Sequence, residues 1–98
     1  MTFARRTNVH MPEANAQEDQ AIADAMLTLL ASRAPSASIC PSDVARALSS
    51  DERIWRAKMP AIRRVAAQLA AGGRVKVTRG SEEVDALSKG GPIRIRRS

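Results

Sequence analysis

The stretch that most constrains this chain is ERIWRAKMPAIRRVAAQLAAGGRVKVTRG, residues 52–80. From Met59 onward, Met59, Ile62, Val65, Ala66 and Leu69 recur at helical spacing and make one apolar stripe. At about 100° per residue, Arg63, Arg64, Ala67 and Gln68 project to the other side. Gly72 and Gly73 stop the helix, glycine being the residue that turns left-handed at little cost. Arg74 to Thr78 then alternates, with Val75 and Val77 on one face. Between Arg53 and Arg79 there are eight basic residues and no acid. A fold that hides the stripe therefore turns a cationic helix face outward, directly ahead of a strand.

The rest of the chain supplies partners for that stripe. Residues 1–15 carry no period and read as a flexible N-terminal tail, ahead of one domain over residues 16–98. Ala16 to Arg33 reads as the first helix, with Ile22, Met26, Leu29 and Leu30 on one side. Glu18 and Asp19 in its first turn and Arg33 in its last suit the helix dipole. Ser38 to Cys40 reads as a short extended piece, because the residue before Pro41 is pushed away from helical angles. Pro41 fits the first position of a second helix, which runs to Leu48. Ser49, Ser50 and Asp51 are cap-forming residues ahead of a short helical turn over residues 53–58, where Trp55 is expected to close the core. Ile93 to Arg96 repeats the alternation of Arg74 to Thr78. The segment between these two strands, residues 79–91, reads as one long polar wing.

The aromatics are only Phe3 and Trp55, so the core has to be aliphatic. Residues 1–52 carry a net −3 and residues 53–98 a net +9. A cationic half beside an acidic half suits a polyanionic partner. With no apolar leader and no run approaching the ~20 residues of a membrane helix, the chain reads as cytoplasmic.

Catalysis finds few candidates. The one histidine, His10, falls in the tail, and the one cysteine, Cys40, has no histidine near it in sequence. A nucleophile needs an activating base, and zinc needs four clustered ligands. There is no glycine-rich phosphate loop. Glu82, Glu83 and Asp85 lack the spacing of a calcium loop and read as a solvated cluster. No catalytic residue, metal site, cofactor or small-molecule ligand is expected.

The order of elements is that of an α+β winged helix-turn-helix: a three-helix core, a short strand and a C-terminal antiparallel β-hairpin. A major groove ~12 Å wide admits one helix, so helix 59–71 is expected there. Arg63 and Arg64 can donate to guanine, and Gln68 can pair with adenine. Arg56, Lys58 and Ser42 are expected at the phosphates, Arg79 and Lys89 of the wing at phosphate or the minor groove near the backbone, and Arg94 in the same basic patch. The expected partner is double-stranded DNA, and the expected role that of a small transcriptional regulator. The alternative is a non-enzymatic interaction module of the same fold, dimerising through the first helix, where Leu27 lies off the main stripe. RNA is disfavoured, because no aromatic platform is available for stacking.

ICPSDVARAL (residues 39–48), Trp55, MPAIRRVAAQLAAGGRVKVTRG (residues 59–80) and VDALSKGGPIRIR (residues 84–96) together resemble an uncharacterised family of small bacterial winged-helix-like proteins. In that family's pattern Asp43 stands for a glutamate and Ala86 for a proline. The resemblance implies the fold, and it brings neither a catalytic residue nor a ligand.

Overall fold

The architecture follows from which stripes are buried. The computed structural model describes residues 3–98, with side chains from Ala16 onward. Helix α1 (Phe3–Ala31) sinks Ile22, Met26 and Leu30 into the core. It begins well before Ala16, where the apolar period starts. Once a packed segment has nucleated a helix, each further residue adds one hydrogen bond for one residue fixed. The expected flexible tail falls on residues whose side chains lie outside the described ones.

Strand β1 (Ser38–Ile39) precedes α2 (Pro41–Leu48), which buries Pro41, Val44 and Ala45. Asp51 caps α3 (Glu52–Ala57), its carboxylate accepting the Arg53 N–H at 2.9 Å. Helix α4 (Met59–Ala71) buries Ile62, Val65 and Ala66. It packs on α1 and α2, and on strand β2 (Val75–Arg79). Gly73 makes the reversal between α4 and β2 at φ +77°, a conformation that side chains rarely adopt.

The sheet is antiparallel, in the order β1, β4 (Arg94–Arg97), β2, β3 (Glu82–Glu83). Val75 pairs with Arg97 and Val77 with Ile95. Val75, Val77 and Ile95 are buried with Ile39 and Ile93. The intervening Lys76, Arg94 and Arg96 lie on the alternate positions, and they are exposed or half-buried.

The α+β class, the helices at 41–48 and 59–71 and the pairing of the two alternating strands agree with the sequence reading. The wing does not. Residues 79–91 are not one long loop, because Arg79 pairs with Glu82 across a two-residue turn at Gly80 and Ser81. Gly80 has φ +65°, which suits the tight hairpins that match strand twist. Beyond β3 the pairing continues by one step, the Val84 N–H bonding to the Val77 carbonyl at 2.9 Å, and the chain then buries Ala86. There are four helices among the described residues, but α3, at the expected short turn, buries none of its residues, so the helical part of the core comes from α1, α2 and α4.

Ile62 lies at the centre of this packing and is fully buried. Ile62→Ala is expected to cost about 2–5 kcal/mol in urea unfolding. Ala71→Ser, at the exposed end of the same helix, should stay within about 0.5 kcal/mol of the parent.

Candidate nucleic-acid interface

Burying the α4 stripe fixes where the cations point, and several of them find partners within the chain. Arg64 reaches Asp19 of α1 at 2.6 Å. Arg56 pairs with Glu52 one turn earlier, also at 2.6 Å, and Lys58 lies 3.8 Å from Glu18. Glu18 and Asp19, which lie mid-helix because α1 starts at Phe3, and Glu52 in the first turn of α3 thus neutralise part of the basic stretch. Arg63 is half-buried and has no carboxylate within ion-pair reach among the described residues. Arg46 and Arg53 are exposed and likewise have none.

Arg79 departs furthest from its expected role at the phosphates. Its guanidinium turns into the returning loop and donates to the carbonyls of Ser88 and Gly91, each at 3.3 Å. A Cβ on Gly90 would stand 3.3 Å from one of the guanidinium nitrogens, so this glycine lets the backbone lie against it. The expectation overlooked that a tight hairpin leaves a return segment whose carbonyls need donors. Lys89, in the same loop, is exposed. The acids near it serve the backbone: the Asp85 carboxylate accepts the Leu87 N–H at 2.8 Å.

Arg94, Arg96 and Arg97 tie β4 to the end of α1 and to β1. Arg94 donates to the Ser38 hydroxyl at 2.9 Å and to the Ser38 carbonyl at 3.0 Å. Arg96 donates to the Ser36 carbonyl at 3.1 Å. Arg97 donates to the Leu30 carbonyl at 3.0 Å and to the Arg33 carbonyl at 3.3 Å, closing the negative end of α1. Carbonyls do not neutralise these charges. They lie on the sheet, apart from the helical cations, so Arg94 does not share a helix face with Arg56, Lys58 and Arg63.

The start of α2 is occupied too. The Ser42 hydroxyl lies 3.0 Å from the Cys40 sulfur. The Asp43 carboxylate accepts the Cys40 N–H at 3.0 Å and lies 3.7 Å from Arg33. Burial opposes ionisation of Asp43. The Cys40 N–H and thiol outweigh it, aided by the charges of Arg33 and Arg94, and together they hold the carboxyl below its ordinary 3.8. An anion at this helix start would meet a fixed carboxylate, which argues against Ser42 as a phosphate contact.

One flank of α4 is small and apolar. Ala67, Ala70 and Ala71 form a shallow groove with Val84, Asp85 and Ala86. Gln68 faces the seam with α1, beside Asp19, Asp24 and Leu27. Leu27 itself packs against the core. Sequence reasoning missed two features. One is the self-pairing of α1 acids with α4 arginines, which spacing along either helix alone does not disclose. The other is Trp55, which sits half-buried at the rim of the core with the guanidinium of Arg46 over its ring, 5.0 Å from the centroid.

No helix among the described residues is long and apolar enough to cross a membrane. A family model described as "Protein of unknown function (DUF3253)" matches residues 19–98. No curated protein matches the chain.

Because its folded value is lowered, Asp43 contributes stability that is complete above its unfolded value and is lost as pH falls through the folded one. Asp43→Asn should therefore flatten the loss of urea stability as pH drops below 3.8, compared with the parent chain. Near neutrality Asp43→Ala should cost about 1 kcal/mol, the scale of a lost helix cap.

Proposed function

The chain belongs to the DUF3253 family of proteins of unknown function, and we propose that it is a non-enzymatic winged-helix protein that binds double-stranded DNA, in the manner of a small regulator. In this reading α2, α3 and α4 form the helix-turn-helix, and the β2–β3 hairpin with its return loop forms the wing. Helix α4 enters the major groove, Arg63 reaches a base edge, and α2 crosses the phosphate backbone.

The observation that carries the reading is the set Arg46, Arg53 and Arg63. These cations lie on α2, α3 and α4 with no carboxylate partner among the described residues. The paired Arg64 and Arg56 remain available at small cost. Both pairs are surface pairs, worth at most about 1 kcal/mol, and a phosphate can replace the carboxylate. Lys89 extends the contact at the wing. Arg79 acts there by holding the loop together, and Arg94 contributes field more than contact.

A random duplex should retard the protein in gel shift at low salt, and the affinity should fall steeply as salt rises. Arg63→Ala should weaken binding by about 1–3 kcal/mol where the sequence is preferred, and less on random duplex. Absence of any shift at low salt overturns the proposal.

One observation favours a second reading. The groove of Ala67, Ala70 and Ala71 is closed by Ala86, whose neighbour in the chain, Leu87, is 59% exposed. A protein helix fits such a surface better than a base edge does. If the chain ignores duplex and sediments as a dimer that Leu87→Glu dissociates, the interaction module is the better account.

A further inference from the structure

We infer that Arg46, Trp55 and Arg56 form a phosphate clamp, which grips the DNA backbone beside the groove that α4 enters. The inference rests on the duplex-binding reading, and it assigns a contact to Arg46 and Trp55 that helical periodicity does not suggest.

Trp55 is half-buried, one part of it packed against the core and the rest at the surface. Over its ring lie two guanidinium carbons, that of Arg46 at 5.0 Å from the centroid and that of Arg56 at 5.4 Å. Arg46 comes from the last turn of α2 and Arg56 from the last turn of α3. The indole therefore collects cations from two helices onto one anchored surface. Stacking orients a planar guanidinium and leaves its N–H edge open, so less freedom is lost when it binds a phosphate bidentately. Arg46 is exposed and has no carboxylate in ion-pair reach among the described residues. Glu52 holds Arg56, but both side chains are about two-thirds exposed, at 66% and 64%, so solvent screens the pair.

Placement matches chemistry. When the second helix of a helix-turn-helix lies in the groove, the first crosses the backbone. Arg46 stands on that first helix, and α3 forms the link to α4. A purely structural stack would fasten α2 to α3 and leave binding untouched, so the two roles separate by experiment.

The test uses the full chain and a random-sequence duplex. Trp55 is the only tryptophan and there is no tyrosine, so near-ultraviolet emission reports this site alone. Duplex should change the Trp55 emission, with the same midpoint as gel retardation. Arg46→Gln should remove one phosphate contact. Its affinity loss between about 50 and 200 mM salt should be about 3.5-fold smaller than the parent's, following the slope of about 0.9 per contact. Arg46→Lys, which keeps charge without the planar stack, should keep the salt slope and bind more weakly. Arg96→Gln, on the sheet, should leave slope and emission unchanged. If duplex binds with silent Trp55 emission and an unchanged slope in Arg46→Gln, the clamp is wrong while duplex binding stands. An Arg96→Gln effect equal to that of Arg46→Gln would show diffuse charge and also overturn the clamp. If no duplex binds at any salt, both readings fall.

Discussion

The structure depends on the burial of one face of α4. Ile62, Val65 and Ala66 lose nearly all contact with water against Ile22, Met26 and Leu30 of α1 and the inner face of the sheet. Aliphatic burial at about 25 cal/mol per Å² is the main favourable quantity available to a chain with a single tryptophan and a single phenylalanine. Once that stripe is inside, the helix has no rotational freedom left. Arg64 must face the α1 seam and Arg63 the other flank, while Ala67 and Ala70 stay half-buried against the edge of the core. The placement of charge is thus a consequence of packing.

Packing also explains why some of the architecture was legible in the sequence. Helices α2 and α4 carry punctuation at both ends: Pro41 and Ser49 bound the first, and Pro60 and Gly72 the second. The strands β2 and β4 alternate without ambiguity. The wing differs from the expected long loop because turn chemistry outweighs its length. Gly80-Ser81 between Arg79 and Glu82 is a two-residue hairpin signal, and it divides the apparent long loop into a turn, a short strand and a return. Size alone favours burial of Trp55. An indole flanked in space by Arg46 and Arg56 can instead stay at the rim, because the cations cover the part that the core does not.

The candidate site was legible in composition and much less so in detail. Net charge locates the cations in the second half of the chain, but pairing is a tertiary property. Asp19 and Arg64 are 45 residues apart in sequence and 2.6 Å apart in space. Nothing in the period of α1 marks Asp19 as a partner and Asp24 as something else. Arg79 presents the same difficulty in another form. Its Nη2 donates to the carbonyls of Ser88 and Gly91, which exist as a cluster only after the return loop has folded.

How each cation is held decides what it still contributes. A guanidinium facing a carboxylate, as Arg64 does, forms a neutral pair and adds little field beyond the Debye length. A guanidinium bonded to carbonyls, as Arg94, Arg96 and Arg97 are, keeps its full charge while its position is fixed. The sheet therefore projects positive potential without exposing many free donors, whereas the helices expose a few free donors in a weaker field. Long-range attraction and short-range contact are carried by different surfaces. The sheet holds its charges fixed against carbonyls, and the guanidinium edges of Arg46, Arg53 and Arg63 that meet no carboxylate among the described residues lie on α2, α3 and α4.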